Sequence, residues 1–467
     1  MQKSEIGLIG LATMGANLAR NIANNKFKIS VFNRTTEKTT KFIAEYGNEY
    51  LVGQEELKDF VKSLKAPRKI ILLVKAGWPV DAFIDKLTPL LDKGDLIIDG
   101  GNSNYKDTQK RTTALKEKGI EFLGCGVSGG EEGALNGPSL MPGGSKKAYN
   151  KVSKILNKIA AKDFNGNPCV TYIGNNGAGH YVKTVHNGIE YGVMQMIAEA
   201  YEIFRSVYKL KAPEIAKIFK NYNRGKLKSY LFEITSEVLD RKDQYKKGYL
   251  IDYILDKAGQ KGTGRWTAID ALERAVALPT VTEAVFARIT SGEKDTRKRL
   301  NKIYSKAKVK NKIPLNKFIS KLGDALYAGM LSSYAQGYHL IQKTAAEEGW
   351  EIDLSEVSRI WEGGCIIRAD ILNFLHKAYA KNQNKHLFEI KDISNGMIKT
   401  IPKLREICGY AQSNGVAIPA LSTSLAYFEM MTNENSSANL IQGLRDYFGA
   451  HTYERTDKKG SYHTEWN

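Results

Sequence analysis

The chain has 467 residues, 42% of them hydrophobic and 25% charged, with a formal net charge of +19. That length predicts two or three domains with ample core, the composition excludes a disordered or fibrous chain, and the charge predicts an anionic partner: nucleic acid, a membrane surface or a phosphorylated small molecule. Cys125, Cys169, Cys365 and Cys408 show no CxxC spacing, which argues against a disulfide framework or a zinc site. The N-terminus lacks the tripartite order of a signal peptide, and no apolar run reaches bilayer length. A cytoplasmic protein is expected.

From Glu5 onward, short β-branched runs alternate with helical stretches. The runs are "IGLIG", "KISVFN", "KIILLVK", "DLIIDGG", "IEFLGCG" and "CVTYIG". Continuous apolar strands separated by helices predict a Rossmann-like, doubly wound parallel sheet over residues 1–177, with ligands bound beyond the carboxyl ends of the strands. The first strand runs through Gly10-Leu11-Ala12-Thr13-Met14-Gly15 into a helix. Ala12 replaces the middle glycine of a GxGxxG turn, but the strand–turn–helix context is that of a pyrophosphate site, where the helix's first N–H groups face the anion. A tight turn that merely needs two glycines is the competing reading.

The second strand ends in Asn33-Arg34-Thr35, where an NAD site would place a carboxylate for the ribose 2′-hydroxyl. Arg34 instead suits a 2′-phosphate, so NADP is expected. Strands three and four end in "LVKAGW" and "IDGGNSNY", placing Val74, Lys75, Ala76 and Asn102 at the same edge. Beyond them, eight glycines fall between Gly124 and Gly144. They read either as a cradle of backbone donors for an anion or as a flexible connection.

Residues 180–195, "HYVKTVHNGIEYGVMQ", place Lys183, His186, Asn187, Glu190 and Tyr191 on one helical stripe. Lys183 and Glu190 stand roughly 10 Å apart along the axis, too far to pair. Something can lie between them; an ordinary amphipathic surface helix is the alternative. Helical spacing then continues to about residue 434, predicting an all-α domain over 178–434. "GIEYGVMQ" at Gly188 and "GMLSSYAQ" at Gly329 suggest a short internal repeat in which Leu331 replaces Glu190. The basic run 297–312 could contact nucleic acid, but no RNA-binding motif accompanies it. Residues 435–467, rich in aromatics and glycine, read alone as a mobile tail.

These segments together carry a resemblance. "GLATMGANLARN", "VFNRT", "LVKAG", "DGGN", "GVSGGEEGA" and "KTVHNGIEYG", followed by "GQKGTGRWT", "EAVFAR" and "LRDYFGAHTYER", resemble the 6-phosphogluconate dehydrogenases, the decarboxylating, NADP-linked enzymes of the pentose phosphate pathway. The resemblance runs from Gly10 to the tail. It implies Lys183 as general base and later acid, Glu190 as the acid that protonates carbon, and Asn187 as their catalytic neighbour. It implies substrate contacts from Asn102, Ser128, Gly129, Gly130, His186, Asn187, Tyr191, Lys261, Thr263 and Arg288, with Arg445 and His451 reaching the partner's site in a homodimer. The implied cofactor set is Gly10, Leu11, Ala12, Thr13, Met14, Gly15, Asn33, Arg34, Thr35, Val74, Lys75, Ala76 and Asn102, and no metal is implied. A lysine acting as a base needs a lowered pKa, which the neighbouring cations Lys261, Arg288 and Arg445 would supply. A simple β-hydroxyacid dehydrogenase and a basic nucleic-acid-binding protein on a dinucleotide fold are the rival functions.

Overall fold

The structure, a computed structural model, describes residues 2–304 and 313–466. A seven-stranded sheet forms first: β1 (Ile6–Ile9), β2 (Ile29–Phe32), β3 (Leu51–Gly53), β4 (Lys69–Leu72), β5 (Leu96–Asp99), β6 (Glu121–Ser128) and β7 (Ser139–Gly144), in the order β3-β2-β1-β4-β5-β6-β7. β1 to β6 are parallel and β7 is antiparallel to β6. The apolar runs are continuous because both faces are covered. Ile6, Leu8, Val31 and Ile98 enter one core cluster, while Ile9, Phe32, Ile70 and Leu72 enter another on the opposite face.

One expected strand is absent and an unexpected one replaces it. Residues 169–174, "CVTYIG", make only single bridges, Val170 to Leu140 and Gly174 to Gly143. The edge position belongs instead to β7, inside the glycine-rich stretch. Those glycines serve contact rather than flexibility: a Cβ on Gly179 would lie 2.3 Å from Met141 O and 2.5 Å from Gly143 N, space no carbon can share. A helix backbone therefore rests directly on β7.

That helix, Ala178–Ser206, and a second long one, Leu315–Glu348, form the spine of the helical part. They cross at small residues, with Gly337 against Ile189, Gly329 against Met196 and Gly192 against Ser333. The suggested repeat falls on this crossing and extends beyond it. "VALPT" at 276 and "VAIPA" at 416 occupy matching turns, with Ala275 (φ 53°) and Gly415 (φ 68°) both left-handed and Pro279 and Pro419 both opening helices, Pro279–Gly292 and Pro419–Met431. Each long helix caps the turn that follows the other. Gln336 Oε1 accepts Thr280 N–H at 3.0 Å, and the Glu199 carboxylate accepts Ala420 N–H at 2.7 Å and Leu421 N–H at 2.9 Å.

The C-terminal segment is folded, contrary to the mobile tail read from its composition. Helix Ala438–Gly449 is followed by a hairpin, β8 (Tyr453–Glu454) and β9 (Ser461–Tyr462). The buried Asp446 carboxylate accepts bonds from Thr452 N, His463 Nδ1, Thr464 N and Trp466 Nε1, and so gathers the segment around one charge. In the basic run, Arg297 pairs with Asp256 at 3.0 Å, and residues 305–312 lie outside the described residues. Among the described residues no helix is long and apolar enough to cross a membrane.

Burial pushes the Glu199 carboxyl up to about 7 from its ordinary 4.5, against the three donors that favour its charged form. The folded chain therefore holds a proton that the unfolded chain releases between these values. Its contribution is fully present below pH 4.5 and is lost as the pH rises to about 7. Denaturant melts across this window should show wild-type stability falling more steeply than that of Glu199→Gln, by at most about 1.4 kcal/mol per pH unit. Parallel curves would refute the assignment.

Candidate active site

The helix Ala178–Ser206 is buried on both sides over most of its first half, so the polar stripe is not a solvated face. Lys183 lies against β6, where a Cβ on Gly126 would sit 2.5 Å from Lys183 Cβ. Its Nζ donates to Ser128 Oγ at 3.1 Å and to Asn187 Oδ1 at 2.7 Å. Asn187 Nδ2 continues to Thr263 Oγ1 at 3.1 Å, at the start of helix Thr263–Glu273. The glycines around Thr263 are positional: Gly262 has φ 101°, and Gly264 leaves no room for a side chain beside the Tyr191 ring.

His186 is fully buried and does not line the cavity; it stands behind the other polar residues. Its Nδ1 faces Asn187 Oδ1 at 2.9 Å and its Nε2 faces Ser128 Oγ at 3.4 Å. The network assigns the proton to Nδ1, because Asn187 Oδ1 only accepts, and leaves Nε2 to accept from Ser128. Burial, reinforced by Lys183, keeps the ring neutral by pushing its pKa well below 6.5.

Lys183 is pushed down by its own burial; the charge that acts on it most, that of Glu190, opposes the shift. The expected cause, neighbouring cations, is therefore not the operative one. Lys261 and Arg288 line the same cavity but the first is exposed and the second sits over the Tyr191 ring, its Cζ 3.4 Å from the centroid. Glu190 is pushed up by burial against the pull of Lys183 and Arg288. Both shifts favour uncharged forms, amine and carboxylic acid.

Two cavities meet here. One of about 540 Å3 is walled by Ser128, Gly129, Gly130, Lys183, Asn187, Glu190, Tyr191, Lys261, Thr263 and Arg288, together with Gln260 and Ile366, which the sequence did not single out. The other, of about 700 Å3, follows the strand ends past Gly10, Ala12, Thr13, Met14, Gly15, Asn33, Arg34, Thr35, Val74 and Lys75. Met14, Asn102, Val127 and Lys261 belong to both walls. Leu11 and Ala76 stand outside the second wall; Leu11 N–H is held by Asn33 Oδ1 at 3.1 Å. Arg445 and His451 are exposed on the C-terminal segment, bonded to Gln442 and packed on Phe448 respectively, and line neither cavity.

Sequence reading missed the residues that hold these walls in place. Asp99, fully buried, accepts Gly101 N at 3.0 Å, Ser103 Oγ at 2.6 Å and Arg111 Nη1 at 3.3 Å, which shapes the loop bearing Asn102. Arg111 also grips Asp81 at 2.7 Å and Gly77 O at 3.2 Å, tying that loop to the one after β4. Asp270 accepts Tyr105 Oη at 2.8 Å and Tyr181 Oη at 2.7 Å, joining three elements that carry Asn102, Lys183 and Thr263. The "DGGN" motif signalled Asp99, but nothing in the local sequence marks Arg111 or Asp270. Among the described residues no group of three or more His, Cys, Asp or Glu side chains could hold a metal ion.

Residues 5–174 match the NAD binding domain of 6-phosphogluconate dehydrogenase, and residues 179–466 match the C-terminal domain of the same enzyme. The chain belongs to the 6-phosphogluconate dehydrogenase family. A decarboxylating 6-phosphogluconate dehydrogenase of Arabidopsis thaliana, chloroplastic, is 49% identical over 99% of this chain and 97% of its own length. An NADP(+)-dependent, decarboxylating one from Bacillus subtilis is 48% identical over 100% of both chains. The Plasmodium falciparum 6-phosphogluconate dehydrogenase, solved in apo form and in complex with its cofactor NADP+ and with its substrate 6-phosphogluconate, superposes with a TM-score of 0.96 at 45% identity, covering 99% of this chain and 100% of that one. The two matched family segments abut between residues 174 and 179, where the sheet's last bridge gives way to the helix that bears Lys183.

The coupling between Lys183 and Glu190 has a testable sign. As a carboxylate, Glu190 raises the Lys183 pKa by attraction, so Glu190→Gln should lower the lysine pKa further wherever wild-type Glu190 is ionised. Nitrogen NMR of the labelled lysine side chain reads this directly, and a pKa that stays in place or rises would refute the attraction.

Proposed function

We propose that this chain oxidises 6-phosphogluconate with NADP and decarboxylates the product to ribulose 5-phosphate and CO2. One observation carries the reading: Lys183, Asn187 and Glu190 open from one helix face into a cavity that shares Met14, Asn102, Val127 and Lys261 with the nucleotide cavity. A substrate in the first can therefore face a nicotinamide in the second.

The residues present fit NADP. The helix after the Gly10–Gly15 turn has no capping side chain and no acidic residue in its first turn, so its leading N–H groups are available to a pyrophosphate. A Cβ on Gly15 would fall 1.8 Å from Gly10 O, which explains why this turn needs glycine there. Arg34 and Lys38 line the same cavity, suited to a 2′-phosphate. The bound cofactor supplies the hydride acceptor for C3 of the substrate.

The chain's own groups move protons. Neutral Lys183 takes the C3 hydroxyl proton as the hydride departs. The ammonium so formed polarises the C3 carbonyl and returns its proton to that oxygen as the bond to the carboxylate breaks and CO2 leaves. Protonated Glu190 then gives its proton to the carbon that lost CO2, which becomes C1 of the product, while Lys183 takes the enediol proton as the ketone forms. A proton passed from Lys183 to Glu190 restores the starting forms. Ser128, Asn187 and, behind them, His186 hold the Lys183 amine; Gly129 and Gly130 suit the substrate carboxylate, and Tyr191, Lys261, Thr263 and Arg288 its phosphate.

A homodimer belongs to the same reading. Helix Ala438–Gly449 leaves Leu440, Ile441, Leu444, Tyr447 and Phe448 between 54% and 71% exposed, an apolar face that calls for a cover. A partner's site would use Arg445 and His451, which have no cavity of their own. We divide the chain into a nucleotide domain at 1–177, a substrate and dimerisation domain at 178–434 and the reaching segment at 435–467. Four buried free thiols suit a cytoplasmic setting.

The test follows reduced nicotinamide and CO2 together from 6-phosphogluconate. Equal yields with NADP are expected, with kcat lowered about 100-fold or more in Lys183→Met and in Glu190→Gln. Mixed dimers of Lys183→Met and Arg445→Ala protomers should regain activity that neither has alone. Reduced cofactor without CO2 would indicate a simple hydroxyacid dehydrogenase, and RNA binding without turnover the basic binding protein.

A further inference from the structure

One large apolar side chain lining the nucleotide cavity is mostly exposed. Trp78, the first residue of helix Trp78–Leu87, is 72% exposed and enters none of the hydrophobic clusters formed by the described residues. It nevertheless lines the 700 Å3 cavity, as do Pro79, Phe83, Arg34 and Lys38. Leaving an indole in water forgoes a large burial gain, so a ring held at a cavity mouth is set to be covered by what enters.

The ring stands on fixed backbone. Gly77, at φ 85°, turns the chain into the helix, and Pro79 restricts its first turn. The buried Arg111 guanidinium holds both sides of this turn through Gly77 O at 3.2 Å and Asp81 Oδ1 at 2.7 Å. Trp78 is thus presented, not loose.

Ligand chemistry orients what fills the cavity. The hydride-accepting ring must reach the wall shared with the substrate cavity, at Asn102 and Val127. The pyrophosphate lies along Gly10–Gly15, and the 2′-phosphate meets Arg34. Adenine is joined to the ribose that bears this phosphate, so it occupies the end remote from the substrate cavity. Trp78 and Phe83 are the aromatic side chains lining the cavity, and Phe83 is half-buried against the core beneath β4.

We propose that Trp78 is an adenine-stacking residue, its exposed indole covering one face of the base while Arg34 binds the phosphate on the same ribose. The inference rests on the NADP reading above. It makes Trp78 a contributor to cofactor affinity that neither the glycine-rich turn nor the arginine supplies.

The probe is 2′,5′-ADP, which carries the adenine and the 2′-phosphate but no nicotinamide. Titrated into the full-length protein, it should quench tryptophan emission. In Trp78→Ala that quenching should vanish and the calorimetric Kd rise about tenfold, equivalent to about 1.4 kcal/mol, with Trp78→Phe retaining most of the affinity. NADP should lose affinity by the same factor. Because Trp78 enters no core cluster, both variants should unfold at the wild-type temperature, which separates lost stacking from lost structure. Equal affinity of wild type and Trp78→Ala for 2′,5′-ADP would overturn the proposal and leave the NADP reading standing. A wild-type protein that binds neither 2′,5′-ADP nor NADP would overturn both.

Discussion

The centre of this molecule depends on the backbone of one helix touching the backbone of two strands. Gly179 lies so close to β6 and β7 that a methyl group there would meet Met141 O, Gly143 N and Gly124 O, all within 2.6 Å. No ordinary helix-on-sheet packing, with side chains between the layers, comes this near. One turn later the same approach presses Lys183 onto Gly126 and removes water from its amine. Desolvation lowers the cost of losing the ammonium proton, and the amine is readied as a base by packing rather than by neighbouring charge. An uncompensated buried lysine would be expensive, but Ser128 and Asn187 both accept from it.

Placing a base is only part of the demand, because substrate and cofactor must face each other across a shared wall. That wall draws on the turn after β1, the loop after β5, the end of β6 and the loop before helix Thr263–Glu273. Each could shift separately. Two buried carboxylates prevent this: Asp99, with Arg111, ties the β5 loop to the β4 loop, and Asp270 ties the helix after the β5 loop to the helices bearing Lys183 and Thr263. Such charges are costly unless fully bonded, and here each accepts three donors.

What could be read from the sequence follows from how local each feature is. The parallel strands were legible because sheets covered on both faces leave unbroken apolar runs. β7 was not, since "SLMPGG" looks like a loop, whereas "CVTYIG" looks like a strand but finds only two single bridges. The polar stripe from Lys183 to Tyr191 was visible as spacing, and its burial was not. The cavity walls were largely legible through motifs, but His186, one residue from Asn187, turns inward instead. Asp270 and Arg111 work through contacts far along the chain, and a lone charge in a helix looks the same in sequence whether it faces water or a tyrosine. The C-terminal segment was misread alone because its order comes from Asp446, which no periodicity marks.

The +19 charge acquires a place once the acids are counted where the ligands go. The nucleotide cavity has Arg34, Lys38, Lys75 and Lys261 in its wall and no carboxylate; the substrate cavity adds Lys183 and Arg288 and has a single acid, Glu190. An ionised Glu190 would repel a substrate that carries a carboxylate and a phosphate. Burial lessens that conflict by raising the Glu190 pKa, which favours the protonated form. The same desolvation that favours the free amine of Lys183 favours the carboxylic acid of Glu190. The two proton shifts thus have one origin, the desolvation of a single helix face.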